Sequence, residues 1–570
     1  MPVPLGQVVG DVTIIGNDEI ERGGYGDLAT LLSREGGLEF DRNGGPGTAT
    51  GVFTRGAPSR FTAVLIDGVR VDSQNLQGGA TWSNLPLSSV DHIEIVRGPS
   101  SALYGSDAVA GVVQIFTKKG QGKPSVELSG GLASRGTRNA AASIRGSDQQ
   151  WDYALSMSTE SGGGHQSSIV NPSNANFNAD PDPYRLRGWS ARLGWDVTKG
   201  HRLELTSNQQ QARASYDDGA APTVAPLSVQ LLDTLGVKWQ ANWSEALEGV
   251  YSIGQSRERL EFVGDYPFNT TTDLRTATVL HRFKLNAHND VQALLERRED
   301  ALINSQELSP ERAIRSQNAA SLAYDWHDQG RVLQAKVRQD QDSNFGRYTT
   351  GALAGALQID SSLRLRSSYG TGFRAPTLYE RLNVWGGNPD LTPEESRSFE
   401  LGADFKRAGQ FASATWFSSH VNNLIDWETS RYENVGKAKL QGLSIQFGDD
   451  SGSVRWKASF DNQSAKNAQT DLWLVRRARN RAGLQLDTDV AGWTIGGRVA
   501  AVGARFDDVA NQNRLGGYAL FDGWAQRNLG GGWSVLLRLD NALDHRYQLA
   551  KDYSTPGRTG FIGLKWTPAI

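Results

Sequence analysis

From about Ser125 to the end of the chain, apolar and polar residues alternate with a period of two. Val454, Trp456, Ala458 and Phe460 interleave with Arg455, Lys457, Ser459 and Asp461. Val535, Leu537 and Leu539 interleave with Leu536, Arg538 and Asp540, and Leu203 and Leu205 with Arg202, Glu204 and Thr206. Successive strand residues point to opposite faces, so each segment predicts a strand with one apolar and one polar face. A soluble sandwich would turn the apolar face to a shared core. A membrane barrel would turn it to lipid and line a wet lumen with the charged face. Period does not separate the two; length does. The alternation covers residues 125–570 with no helical segment and no domain break, and about 22 strands at roughly 20 residues per strand and connection fill it. The predicted fold is therefore all-β, a large antiparallel transmembrane β-barrel over residues 123–570.

Residues 10–120 have a different texture. Asp18-Glu19-Ile20-Glu21-Arg22 and Gly26 to Arg34 predict short helices, the second amphipathic with Leu28, Leu31 and Leu32 on one face and Gly36-Gly37 as its stop. The unit over residues 1–122 is α+β, and it is too small and glycine-rich to bury a large core alone. That suits a domain lodged inside another.

Composition narrows the class. The chain has 64 Gly, 16 Trp, 15 Tyr, 2 Met and no Cys. Without cysteine there is no disulfide scaffold and no thiolate metal site, as suits passage through an oxidising compartment. A formal charge of −3 and a pI near 6.3 give no nucleic-acid signal. No apolar run reaches the roughly 18 residues of a spanning helix. The mean hydropathy of −0.46 does not bear on a barrel. Trp151, Trp195, Trp239, Trp493 and Trp533 fall near strand ends, where a barrel carries its aromatic girdles or where a Trp simply packs. Eight scattered His and no nucleophile elbow argue against an enzyme. Met1 to Leu5 shows no secretory leader, so a mature or trimmed chain is expected.

Several stretches carry a family resemblance. They are the Gly-rich loop Asn43 to Gly51, Phe53-Thr54-Arg55-Gly56, Ala63 to Arg70, Leu76 to Ala80 and Ile93 to Ile115. In the barrel they are Ser368 to Thr377, Gly387 to Ser396 and Asn541 to Tyr547. Together they resemble the TonB-dependent outer-membrane receptors, and within them the cobalamin (vitamin) transporters. The resemblance implies a plug domain over residues 1–122 held in the lumen of the barrel, in the bacterial outer membrane. It implies a monomer in contact with membrane lipid and lipopolysaccharide, without nucleic acid, that imports cobalamin or a related corrinoid. Energy would come from the TonB complex acting on an N-terminal coupling segment. Gln7 to Ile15 matches sequence just after that segment, so the segment is expected to be missing here and import by this polypeptide alone to fail. The tail Thr567 to Ile570 departs from the family's aromatic C-terminus. A ferric siderophore or haem is the alternative cargo, and a non-transporting surface receptor or adhesin barrel is the alternative class.

The resemblance also nominates residues. Arg55 and Arg97 match plug arginines that pair with barrel glutamates, here Glu395 and Glu400; the alternative is ordinary surface arginines. Asn43, Thr48, Ala49, Thr50 and Gly51 in one plug loop and Gln77, Gly78 and Gly79 in the other would meet substrate, unless both are plain flexible turns. Their small neutral groups suit a large amide-bearing ligand better than an anionic chelate, for which Arg and Lys would be expected. Tyr216 and Arg476 match barrel residues near substrate; for Arg476, in Val475-Arg476-Arg477-Ala478-Arg479-Asn480-Arg481, the alternative is a row of lumen-lining arginines with no ligand. Asp180, Asp182, Asp217, Asp218 and Asp233 match or adjoin carboxylates that bind calcium, whose preference is for six to eight oxygens. Solvated loop carboxylates are the alternative. Pro181 and Pro183 replace the family's more flexible spacing.

Overall fold

The computed structural model describes residues 9–23, 26–83, 87–163, 168–219, 221–304, 311–428 and 430–568. Met1 to Leu5, Gln7 and the final Ala569-Ile570 lie outside them. The alternating region forms a closed barrel of 22 antiparallel strands, each paired with its neighbours in the chain. Strand Ser125–Ala133 closes it against Thr559–Trp566, with Leu128 opposite Trp566. Closure leaves no free edge, the condition for backbone amides to survive in lipid.

The two faces separate as the period requires. On Leu227–Asn242, Ser228, Gln230, Leu232 and Thr234 are buried toward the lumen, while Leu235 and Val237 are exposed on the outer face. On Val454–Asn467 and Trp533–Asp540, Phe460, Leu537 and Leu539 face outward, and Arg538 turns inward to donate to the Arg22 carbonyl at 2.7 Å. All five expected girdle tryptophans lie at one end, where turns are short. Trp151 stacks on Trp195 at 4.9 Å, Trp239 on Tyr251 at 4.9 Å and Trp533 on Trp566 at 5.8 Å. That end faces the periplasm, and the long connections 168–183, 375–393 and 541–558 gather at the other.

The plug is built on a five-stranded sheet in the order Asp11–Ile15, Val90–Arg97, Gly111–Thr117, Thr62–Ile66, Val69–Arg70. Helices Asn17–Gly23 and Leu28–Arg34 lie beside it. Asp27 caps the second by accepting from the Thr30 amide at 3.0 Å, a contact worth about 1 kcal/mol. Its C-cap is Glu35, and the left-handed turn follows at Gly37 with φ +64. Leu28, Leu31 and Leu32 join Ile15, Ile93, Ile95 and Ile115 in the plug core, and Leu232 of the barrel wall completes it. Two small ribbons carry the plug's outer loops: Glu39–Arg42 with Thr50–Phe53, and Asp72–Ser73 with Gly79–Ala80.

Candidate functional site

The first plug loop closes with the Asn43 amide donating to the Ala49 carbonyl at 3.1 Å. It leans on the wall through Gly47, where an added β-carbon would meet Ala214 at 3.2 Å and Ala212 at 3.7 Å. Its hydroxyls turn inward: Thr48 donates to the Gly45 carbonyl at 2.7 Å and Thr50 to the Thr48 carbonyl at 3.0 Å. The Gly51 amide donates to Asp41 at 3.0 Å, while Ala49 is exposed. Two arginines flank the loop. Arg42 pairs with Asp27 at 2.6 Å. Arg476 pairs with Asp41 at 2.9 Å and with Asp507, and donates to Asn43 at 2.9 Å. Arg476 thus reaches the predicted loop as a tie between plug and barrel, with its charge already met.

The second plug loop is clamped to the barrel. Thr377 donates to the Leu76 carbonyl and Arg374 to the Gln77 carbonyl, both at 2.7 Å. Gly78 lies against the Thr377 methyl and Gly79 against the Arg60 backbone, both with positive φ, so side chains there would meet both strain and contact. The clamp is organised by a capping box, Thr377 and Glu380, on helix Leu378–Leu382.

Beneath this clamp lies a buried charge cluster that sequence reasoning missed. Glu394 is 1% exposed. It accepts from Arg60 of the plug at 3.0 Å, from Arg374 at 2.6 Å and from the Ile425 amide at 2.9 Å. Arg374 also pairs with Glu380 at 2.8 Å. A second chain runs from plug Arg70 through plug Asp107 at 3.3 Å to barrel Arg298 at 3.0 Å. It continues to Asp300 at 2.7 Å and Arg315 at 2.6 Å. The Thr-x-x-Glu pattern at 377–380 was the visible signal for the first cluster.

The nominated plug and barrel pairs divide. Arg55 binds Glu400, and also Asp11 at 2.8 Å. Arg97 instead pairs within the plug, with Asp11 at 3.1 Å, because its strand lies beside Asp11–Ile15 with Arg97 opposite Asp11. Glu395 faces outward: Glu394, Ser396, Ser398 and Glu400 take the lumen parity, which leaves Glu395 exposed on the other face. On this strand the carboxylates that seat the plug are therefore Glu394 and Glu400; elsewhere on the wall Asp540 meets plug Arg34 at 3.0 Å.

The aspartates divide as well. Asp180, Asp182 and Asp217 place carboxylate oxygens within 4.8 Å of one another. Asp182 accepts from the Ser168 amide at 2.6 Å and Asp217 from the Ile169 amide at 2.7 Å, so the pair fixes the loop that touches Gly44 of the plug. Burial, opposed by the Ser168 hydrogen bonds and aided by Asp217 and Asp180, pushes the Asp182 carboxyl up to about 6. Asp218 lies outside this trio, beside Gly264 and Tyr216. Asp233 lies on the outer face, opposite in parity to buried Leu232, and accepts from Gln209 at 2.7 Å.

Tyr216 begins an aromatic ladder that sequence reasoning did not assemble. It meets Phe262 edge-on at 5.8 Å, Phe262 meets Phe268 at 5.9 Å, and Phe268 meets Tyr379 at 6.1 Å. Phe262 and Phe268 flank one short extracellular turn, which was its sequence signal.

Comparison with known proteins agrees with this architecture. Residues 4–112 match the TonB-dependent receptor plug domain and residues 127–542 the TonB-dependent receptor-like β-barrel. The chain is 27% identical over 573 residues to the vitamin B12 transporter BtuB of Photobacterium profundum, covering 98% of this chain and 92% of that protein. Its fold matches the siderophore receptor PirA of Acinetobacter baumannii at TM-score 0.84 and 16% identity, covering 98% of each chain. It matches a mutant of the ferric enterobactin receptor PfeA of Pseudomonas aeruginosa at TM-score 0.84 and 18% identity, covering 98% of this chain and 100% of that one. With the plug in its lumen and both family domains matched, the chain belongs to the TonB-dependent receptors, non-enzymatic transporters of the outer membrane.

Proposed function

We propose that this receptor captures and imports cobalamin or a related corrinoid. The observation that carries the reading is the state of the vestibule's charges: Arg42 and Arg476, the cations flanking the first plug loop, are each held by carboxylates. An anionic chelate would find those guanidinium groups already engaged, whereas a large amide-bearing ligand needs backbone, small polar groups and aromatic faces. Half-buried Tyr216 and Phe262, backed by Phe268 and buried Tyr379, offer such faces to a broad apolar ring. The relative from Photobacterium profundum, named a vitamin B12 transporter, supports the same cargo.

Asp180, Asp182 and Asp217 would hold a calcium ion. Three carboxylates so close repel one another, and a hard dication with oxygen preference relieves that repulsion. In this reading the ion supplies positive charge that orders the loop at Ser168 and Ile169 over the plug loop. Coupling through TonB then acts on the plug from the periplasmic side.

The test is equilibrium binding of cyanocobalamin to the purified barrel, first with calcium and then with chelator. Tight binding that weakens under chelation is expected. Binding indifferent to chelation removes the calcium site and keeps the cargo. No binding by a folded barrel, with binding of a ferric siderophore or haem, overturns the corrinoid reading.

A further inference from the structure

On strand Asn480–Val490, Leu484 and Leu486 face lipid, so Gln485 between them faces the lumen. Register sets Lys457 on one side of Gln485 and Arg498 on the other, and both therefore face the plug. They line a cavity of about 140 Å³ between plug and wall. Its plug side is the end of helix Leu28–Arg34 with the turn Glu35-Gly36-Gly37, and the foot of the ribbon that carries the first plug loop. Arg505, in the hairpin after strand Trp493–Val502, closes the cavity toward the extracellular side.

The charges on this lining do not balance. Arg34 pairs with Asp540 at 3.0 Å, Arg97 with Asp11 at 3.1 Å and Arg481 with Asp461 at 3.2 Å. Among the described residues Lys457, Arg498 and Arg505 form no ion pair. Lys457 donates to the Glu35 carbonyl at 3.4 Å and Arg505 to the Gln548 carbonyl at 2.6 Å. Nη1 of Arg498 and Nη1 of Arg505 are buried with no hydrogen-bond partner among the described residues, and Arg505 as a whole is 4% exposed. Of the remaining acids on the lining, Glu39 is held by the Ala478 amide at 2.7 Å and by Gln463 at 3.1 Å. Glu35 is then the one free carboxylate for three cations. Charges kept from water without partners are costly, and here they share one cavity.

The form of the lining selects what would settle those charges. Strands two apart in a sheet are separated by roughly 10 Å, so the long side chains of Lys457 and Arg498 can close on one small group from both sides. Their ammonium and guanidinium donors, with the Ser444 and Ser459 hydroxyls on the same lining, call for several acceptor oxygens on one centre. A metal cation is repelled, and an apolar ligand would leave the donors unmet. The volume equals that of about five water molecules in the liquid, enough for a tetrahedral oxyanion and too little for a whole corrin or siderophore.

We propose that Lys457 and Arg498 bind a small oxyanion of the phosphate class in this cavity, with Arg505 raising the positive potential at its far end. The anion is free phosphate or the phosphate ester group of a larger molecule that reaches into the cavity. The site lies where plug meets wall: Lys457 also holds the Glu35 carbonyl, while Arg97 and Arg481 hold the carbonyls of Gly36 and Gly37. An exchangeable ion thus completes the charge of the wall beneath this turn, where fixed carboxylates do so at Arg55 and Arg60. The inference does not depend on which cargo the receptor carries.

The experiment is calorimetric titration of the detergent-purified full chain with inorganic phosphate at neutral pH, in buffer free of other oxyanions. Wild type is compared with the double variant Lys457→Gln, Arg498→Gln and with Arg455→Gln, whose arginine pairs with Asp489 at 2.6 Å and does not line the cavity. A hydrogen bond to a charged group is worth at least about tenfold in affinity, so the double variant should bind about a hundredfold more weakly, while Arg455→Gln binds as wild type does. No saturable binding by wild type, or equal affinity in the double variant, overturns the proposal, and so does an equal loss in Arg455→Gln. Dimethyl phosphate separates the two sources: displacement of bound phosphate assigns the site to an ester group, and failure to displace it assigns the site to the free ion. If the double variant fails to assemble, wild type alone decides. Phosphate should then slow amide exchange from Glu35 to Gly37 relative to chloride at equal ionic strength, and identical exchange in the two salts overturns the site.

Discussion

Replacing Glu394 by Gln tests how the plug is seated. The substitution keeps the shape and an acceptor for the Ile425 amide but removes the negative charge shared by Arg60 and Arg374. Breaking a buried ion pair by removing one partner costs about 3–5 kcal/mol, because the surviving charge remains out of water. Here the lower end applies: Arg374 keeps Glu380 at 2.8 Å, and Arg60 keeps the Ile425 carbonyl at 2.7 Å. A loss of about 3 kcal/mol raises the population of locally open plug by about two powers of ten. Amide hydrogen exchange of the detergent-purified protein reads this directly, at Ser59–Phe61 and Gly79–Ala80, the plug segments nearest the cluster. Glu395→Gln, one residue along but facing outward, should leave exchange unchanged. Unchanged exchange in Glu394→Gln, or an equal rise in both variants, would refute the reasoning.

Further outcomes follow from the same geometry. Since the Asp182 carboxyl is raised to about 6, protons compete with cations below that pH. Calcium affinity by titration calorimetry should fall between pH 7 and 5, and Asp182→Asn should weaken it at every pH; a flat profile in the wild type counts against the site. Gly98→Ala places a β-carbon 2.3 Å from a Glu400 oxygen at a φ of +99, and is expected to lower plug stability by about 1–3 kcal/mol in denaturant titration. Gly122→Ala, with φ +64 and open space, should cost only the backbone strain of about 1–2 kcal/mol. His92 is held protonated up to about 9 by hydrogen bonds with Asp91 and Glu94. Its folded value lies above the unfolded one near 6.5, so its stabilisation is full below about 6.5 and lost as pH rises through about 9. The stability gap between wild type and His92→Gln should close over that window.

The barrel was legible because lipid on one face and a wet lumen on the other impose strict alternation, and Leu203 or Val535 has no second interpretation once the strand count is set. Parity at strand ends was not. Glu394 and Glu395 are adjacent after Pro393, and a one-residue offset decides which faces the plug. Asp233 follows two leucines, so either parity buries an apolar side chain; only the contact of Leu232 with the plug core chooses. Asp11 became the partner of Arg97 through the pairing of two plug strands far apart in the chain. Asp180, Asp182 and Asp217 were named together by resemblance. Their convergence depends on the Ser168 and Ile169 amides, which no local pattern announces.

The distribution of apolar and charged contacts explains how one domain can be both seated and removable. The plug keeps its hydrophobic core mostly to itself, in Ile15, Leu28, Leu32, Ile93 and Ile115. Toward the wall it presents Arg55, Arg60 and Asp107, met by Glu400, Glu394 and Arg298, beside one smaller apolar contact of Ala57, Phe61 and Val109 with Val421, Leu424 and Leu440. An apolar seal of that extent would gain energy with every buried area and tolerate sliding. Ion pairs behave otherwise. Intact and buried, they contribute little net stability because desolvation offsets attraction, yet any misplacement leaves an unmatched charge. Such a seat fixes register while keeping the cost of a concerted, rehydrated release low. A pull on the plug that lets water into the interface would lower the cost of parting each pair, since exposed pairs are worth at most about 1 kcal/mol. The plug core, which water does not share, would outlast that step. The structure therefore favours release that begins at the charged seat over release that begins by melting the plug. In Glu394→Gln, exchange should accordingly rise first at Ser59–Phe61 and Gly79–Ala80, while strand Gly111–Thr117 stays protected. Simultaneous loss of protection in all three would mean that the core yields with the seat.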